Sequence, residues 1–403
     1  MSTQEQTEVT TAPFEPAGKR FEGMSLCEVF QESVSRYGDR LALTTTDGST
    51  SLTFREYGEA VRGVAGELHR RGIRDGDTVG LMIANRPEFY VMDSAVLHLG
   101  AAPYSIYLTL SPDQIAFQIE NGKPSLIICD EDRLENVLAA GMERDRVIVL
   151  GDGEDSIESF VSSGREHEFD FEAGWRAVTP DHVATIIYTS GTTGDPKGVE
   201  ITHLNALATA EAVNGALHFP DNSRVISYLP LAHVAERNNS HWMGMAFGFS
   251  VTTCTEPGKV AEHLPAVRPI WFFGVPRVFE KIKAASEASM DPETAAALER
   301  AVGQLPSRDI DPADRALLDV VRRDIGLDEA ASVNVGAAPA VPELIDFYHA
   351  IGVELSELWG MSELCGSGTV NQAGAIRTGT AGPPMPGVEI RLAEDGEIQA
   401  RCP

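Results

Sequence analysis

Apolar positions in the first third of the chain fall into two alternating spacings. Tyr57, Val61, Val64 and Leu68 recur at helical intervals, which predicts a helix over 54–70 stopped by Gly72. A short, mostly apolar run from Thr78 to Ile83 predicts a buried strand. Ser111-Pro112-Asp113-Gln114 reads as a helix start, with serine at the N-cap, proline in the first turn and glutamine three residues on. That helix should end at Gly122, and the next strand should run over 125–129. Helix, glycine and strand in repetition predict an α/β fold with a largely parallel sheet.

Further along, residues 151–181 are rich in Asp, Glu, Ser and Gly and are expected to form a surface connection. Ala184 to Ile187 is a β-branched strand signal, and Leu204 to Leu217 a helix signal with Thr202 as its cap. Residues 284–330 look helical and surface-lying, broken at Asp291-Pro292 and Asp311-Pro312. Near the end, Val388 to Leu392 and Glu397 to Arg401 flank Asp395-Gly396, a hairpin signal. The chain divides by these signals into a loose tail (1–20), a first α/β subdomain (21–180), a second (181–372) and a β-rich segment (373–403). A strand at the terminus with nothing to cover it leads us to expect a chain cut from something longer.

Composition changes the picture in two ways. A net charge of −28 repels nucleic acid and anionic headgroups, so neither is expected as a partner. The same field repels ATP, so any nucleotide site must be locally cationic. No apolar run reaches bilayer length, which leaves at most peripheral membrane contact. Five scattered cysteines without a CxxC pair fit reduced thiols and a cytoplasmic setting.

The densest chemistry lies in residues 188–199, YTSGTTGDPKGV. Thr189, Ser190, Thr192 and Thr193 supply hydroxyl donors. Gly191, Gly194 and Gly198 let backbone N–H groups approach a ligand closely. Lys197 adds one mobile positive charge. Strand, hydroxyl- and glycine-rich loop, lysine and then helix is an arrangement for holding polyphosphate. It is not a Walker A sequence, because Pro196 precedes Lys197 and Gly198 follows it. As an ordered string the segment resembles the phosphate loop of the adenylate-forming enzymes, which include acyl-CoA synthetases, luciferases and peptide-synthetase adenylation domains.

Three other segments fit beside it. LPLAH at 229–233 ends in His233, which taken alone is better read as a satisfied core side chain than as a functional one. LPLAHVAER and GVPRVFEKI (274–282) resemble the long-chain acyl-CoA synthetase branch, where the matching histidine lines the acyl pocket. Gly336-Ala337-Ala338-Pro339 follows an apolar strand, Ala331 to Val335. It reads as a plain strand-to-turn junction or, by the resemblance, as the adenine pocket. Glu357-Leu358-Trp359-Gly360-Met361-Ser362-Glu363 resembles the family's aromatic-Gly-Met-Thr/Ser-Glu motif. There Trp359 would stack on adenine, Ser362 would meet phosphate and Glu363 would hold Mg²⁺. Tryptophan stands where tyrosine is expected, which keeps the stacking face and loses the phenol hydroxyl.

The resemblance implies two stacked mixed or parallel sheets with surrounding helices, an αβαβα layering, and a small distorted β-barrel portion near the C-terminus. It also implies ATP-dependent activation of a fatty acid to an acyl-adenylate, then transfer to coenzyme A. The catalytic set would be Lys197, His233 and Glu363, and the substrates fatty acid, ATP and CoA. The family's C-terminal lid domain, with its own lysine, cannot be located here, and Cys402 stands where glycine is expected. The isolated chain is therefore expected to bind ligands and to adenylate slowly. Alternatives are a non-catalytic nucleotide- and acyl-binding module, or an adenylation domain for another acid. Trp242, Phe247, Gly248, Phe249 and Phe272 are acyl-wall candidates that suit a core equally well. Acyl chain length and the direction of Arg237 are left open, as is oligomeric state, with a homodimer compatible.

Overall fold

The computed structural model describes residues 20–151, 153–189, 195–307 and 309–403. The helix at Phe54–Arg70 keeps the expected bounds, and Thr53 and Glu56 close a capping box at its start. Pro112–Gly122 is likewise a helix, with Ser111 accepting from the Gln114 N–H. The strands Thr78–Met82 and Leu126–Asp130 pair in parallel, inside a four-stranded parallel sheet completed by Ala102–Ser105 and Val147–Leu150.

A second sheet draws from both sides of residue 180. Leu41–Thr45 pairs in parallel with Ser250–Thr253, which pairs with Arg224–Ser227, while Ser51–Thr53 closes the other edge antiparallel. A third sheet carries Trp271–Gly274, Ser332–Val335 and Leu355–Trp359 in parallel, with Thr369–Val370 antiparallel at its edge. Helices surround these sheets, so the mixed α/β class is as expected. Near the C-terminus the described residues form a two-stranded hairpin, Glu389–Leu392 with Ile398–Arg401, turning at Asp395-Gly396 as the sequence signal predicts.

Two expectations need correction. The loop after Val183–Thr189 does not lead straight into a helix. It returns as a second strand, Lys197–Thr202, before the helix His203–Leu217 begins at the Thr202 cap. Residues 151–181 are more than a surface connection, because they contain helices Ile157–Glu166 and Phe171–Arg176. The first of these lies backbone-to-backbone on Phe54–Arg70. A Cβ on Gly164 would sit 1.8 Å from the Gly63 carbonyl oxygen, and one on Gly66 would sit 2.4 Å from that of Gly164. Glycine contacts carry no hydrophobic period, so the apolar pattern is silent about them.

Candidate functional site

Thr189 and Lys197 are the cross-strand pair at the loop end of their hairpin. Ser190, Gly191, Thr192, Thr193 and Gly194, the middle of the expected phosphate loop, lie outside the described residues. The hairpin itself is well anchored. Thr185 Oγ1 donates to the Pro103 carbonyl at 2.8 Å, and Tyr188 Oη donates to Asn121 Oδ1 at 2.9 Å. A Cβ on Gly198 would meet Ile186 at 2.9 Å, so this position takes no side chain without a shift. Lys197 itself is exposed.

The Lys197–Thr202 strand packs against the turn Ser362–Leu364, a single turn of 3-10 helix. Glu363 stands exposed on that turn, next to half-buried Ser362 and the exposed Met361. The turn is pinned from within, with Cys365 N donating to Ser362 O at 3.0 Å and Gly366 N to Met361 O at 2.9 Å. Close backbone approach sets its place. A Cβ on Gly360 would lie 2.1 Å from the Gly366 carbonyl oxygen, and the Trp359 ring covers Gly368 at 2.8 Å from where its Cβ would be.

The adenine-pocket candidates adjoin this strand. Gly336 is buried, and a Cβ there would meet the Leu358 carbonyl oxygen at 2.9 Å. Ala337 takes a left-handed φ of 65°, uncommon for a side-chain-bearing residue, and with Ala338 and Pro339 it is exposed. The structure therefore brings Gly336 and Leu358-Trp359 side by side, leaving the Trp359 ring half-buried rather than sunk in the core. Glu357 sits across from Val335, with one carboxylate oxygen buried and without a hydrogen-bond partner among the described residues.

The segment that contains His233 reaches the same cluster from another direction. A Cβ on Gly366 would touch Val234 at 3.0 Å and the Ala235 nitrogen at 3.5 Å, which puts the residues directly after LPLAH against the stretch that follows the Glu363 turn. His233 Nδ1 accepts the Ala235 N–H at 3.1 Å, so the proton of the neutral ring sits on Nε2. Desolvation lowers its pKa below the ordinary value even though part of the ring is exposed. The imidazole is thus a neutral donor at neutral pH, suited to a carboxylate oxygen.

Directly beyond, Arg237–Trp242 forms a π-helix whose six residues are all buried. Arg237 points inward. Its Nη2 lies 2.7 Å from Asp93 Oδ2 and donates to Ser105 Oγ at 2.9 Å, while His241 Nε2 lies 2.9 Å from Asp93 Oδ1. Burial pushes the Asp93 carboxyl up, but Arg237 and His241 outweigh it and the net shift is downward. Glu236 is the opposite case. Desolvation dominates and raises its pKa to about 8, although Leu229 N–H donates to it at 3.1 Å. Neither Asp93 nor His241 was found from sequence. The signal available was a run of polar residues, 236–241, in an otherwise apolar stretch.

The acyl-wall candidates divide. Trp242, Phe247 and Phe249 share one apolar cluster and Phe272 belongs to another. Gly248 is occupied by the Tyr37 ring, which a Cβ would meet at 2.3 Å. A cavity of about 290 Å³ borders the Glu363 turn at Leu364 and Ser367. Another, of about 400 Å³, lies beside Met290, Leu317 and Ile282, the last residue of the 274–282 segment. All five cysteines are free, four of them buried. No group of three or more His, Cys, Asp or Glu able to hold a metal occurs among the described residues. Mg²⁺ would fit only as an ion carried on nucleotide phosphates and touched by one carboxylate, which is how it commonly binds.

The family model described as "AMP-binding enzyme" matches residues 30–401. The chain belongs to that family. Over 255 residues it is 38% identical to a putative fatty-acid–CoA ligase, fadD11, of Mycobacterium tuberculosis, covering 58% of this chain and 45% of the relative. A long-chain-fatty-acid–CoA ligase, ACSBG2, of Xenopus laevis is 26% identical, covering 92% of this chain and 55% of its own. The chain thus spans about half the length of these curated relatives. Among solved structures, a long-chain-fatty-acid-CoA ligase (FadD1) from Archaeoglobus fulgidus superimposes with a TM-score of 0.78 at 21% identity, covering 97% of this chain and 75% of that one. The N-terminal domain of FACL13 from Mycobacterium tuberculosis does so at 0.72 and 20%, covering 93% and 86%. At such identities the likeness speaks for the fold, which this chain shares. No helix among its described residues is long and apolar enough to cross a membrane.

Proposed function

We propose that this chain carries the nucleotide and acyl subsites of an ATP-dependent fatty acid–CoA ligase. The convergence of three segments supports that reading: the Lys197 strand packs beside the Glu363 turn, and the residues directly after His233 meet Gly366, where an added Cβ would lie 3.0 Å from Val234. In the proposed first step a carboxylate oxygen bonds to the α-phosphorus of ATP. The bond to the bridging oxygen breaks and pyrophosphate leaves. In the second step the CoA sulfur bonds to the acyl carbon, the acyl C–O bond breaks, and AMP leaves.

The protein's part is to hold two anions together in line and to offset the charge that spreads over the phosphorus. Lys197 would neutralise outer phosphate oxygens. The neutral His233 ring would donate from Nε2 to the fatty carboxylate without locking it as an ion pair. Trp359 would lie on the base, opposite Gly336 to Pro339. Mg²⁺, touched by Glu363, would screen phosphate charge when bound. ATP, Mg²⁺ and CoA are the proposed co-substrates and ion, with the reduced cytoplasm as the setting, consistent with five free thiols.

Carboxylate-dependent exchange of pyrophosphate into ATP tests the reading. Exchange by residues 1–403 with palmitate, exceeding that with short acids or amino acids, supports fatty acid activation. Binding of nucleotide and palmitate without exchange supports a module that holds both and does no chemistry alone. Preference for an amino acid would transfer the proposal to another adenylation class.

A further inference from the structure

We infer that Asn238 and Ser367 are positioning residues that tie the acyl subsite to the Glu363 turn, so that fatty acid and Mg·nucleotide each raise the other's affinity. The inference rests on the proposed assignment of those two subsites. Its physical basis is a buried hydrogen bond between segments far apart in sequence. Asn238 Nδ2 donates to Ser367 Oγ at 3.3 Å, and both residues are buried.

Each end of that bond is fixed to one subsite. On one side, the 361–367 stretch is a chain of tight backbone bonds, ending with Ser367 N donating to Leu364 O at 3.2 Å. Displacing Glu363 therefore displaces Ser367. On the other side, Glu236 N donates to His233 O at 3.1 Å and the π-helix starts immediately after. Displacing His233 therefore displaces Asn238. Arg237 and His241, clamped on Asp93, prevent the π-helix from absorbing the movement by itself. Gly366, against Val234 and Ala235, closes the same seam a few ångströms away.

Stability alone does not explain the amide. Asn238 Oδ1 is buried with no hydrogen-bond partner among the described residues, and an apolar side chain would fill the space without that cost. A π-turn inserted in a helix also re-aims side chains, and such turns recur where function needs a particular direction. Here it directs one polar side chain to the Glu363 turn while its neighbours face Asp93.

The test measures palmitate affinity by calorimetry with residues 1–403, with and without Mg·α,β-methylene-ATP, whose α–β linkage cannot be cleaved. In the unaltered protein the nucleotide should tighten palmitate by about fivefold or more, within the usual span of site-to-site coupling. Asn238→Ala and Ser367→Ala should each bring that factor close to one, while palmitate alone binds within about threefold of the unaltered protein. The double variant should be no worse than either single one, because both remove one bond. Ser367→Ala deletes only a hydroxyl, so it reports even where Asn238→Ala fails to fold. Full coupling in both variants, or independent binding of the two ligands in the unaltered protein, overturns the inference and leaves the assigned subsites standing. An unaltered protein that binds neither ligand removes the subsites, and the inference with them.

Discussion

At the scale of single residues, the assignments separate by what each side chain can do in its surroundings. Lys197 is exposed at the loop end of a hairpin, so its charge is available to a ligand and contributes little to the fold. Lys197→Ala should weaken nucleotide binding by about ten- to hundredfold, the worth of a charge-assisted bond, with the melting temperature unchanged. An unchanged nucleotide affinity would remove Lys197 from that role. Glu363 is also exposed, on a turn held by backbone bonds that do not involve its carboxylate. Glu363→Gln should raise the Mg²⁺ concentration needed for half-maximal nucleotide binding, and a superimposable titration would reject it as a ligand. Lys197 was legible from the hydroxyl- and glycine-rich loop around it, whereas a lone glutamate is ordinarily a solvated surface charge and Glu363 was marked only by the resemblance of its segment. Arg237 could not be placed that way, since nothing local says whether a charge after an apolar run turns inward or outward.

At the scale of elements, caps and periods were legible and close packing was not. Ser111-Pro112-Asp113-Gln114 encodes its helix start within four residues, and the capping box forms as the spacing requires. The helix Ile157–Glu166 was missed because its short apolar stripe, Ile157, Phe160 and Val161, lies in a stretch rich in Asp, Glu, Ser and Gly, and its crossing with Phe54–Arg70 is made at glycines. Gly164→Ala should therefore destabilise the protein by about 1–3 kcal/mol in chemical denaturation, as overpacking does. Gly258→Ala is the control, since nothing lies within 4 Å of its added Cβ. Equal effects at both positions would mean that helix propensity, not the crossing, sets the outcome. The same limit applied to the loop hairpin. The β-branched run from Ala184 to Ile187 marked the first strand, but the pairing that turns Lys197–Thr202 back along it is settled in space.

For the whole molecule, buried titratable groups set a pH profile with two limbs. His98 and His203 are desolvated, with pKa values lowered from 6.5 to about 4 and about 3. The unfolded chain then binds more protons than the folded one below pH 6.5, so stability falls as the medium is acidified toward those values. Glu236 acts with the other sign. Its pKa rises from 4.5 to about 8 in the fold, so the folded chain holds an extra proton and stability falls as pH rises between those values. The two histidines outweigh it below pH 6.5, and above that only the Glu236 limb remains among these three groups. Melting temperature should therefore peak near pH 6.5. Glu236→Gln should flatten the decline from 6.5 to 8 while leaving the acid limb. A decline that survives the substitution would assign it to other groups.

The sequence by itself determined the helices and strands of the first third, the hairpin near the terminus, the α/β class and the segments that carry chemistry. Those features depend on neighbours a few residues away, where spacing, caps and turn residues act directly. Only the tertiary structure decided that strands at 41–53 and 224–253 share one sheet, that Arg237 turns inward to Ser105 across 132 positions, and that three motif segments meet at glycines. Each of those outcomes is a contact between distant parts of the chain, and a glycine or a buried ion pair leaves no periodic trace along it.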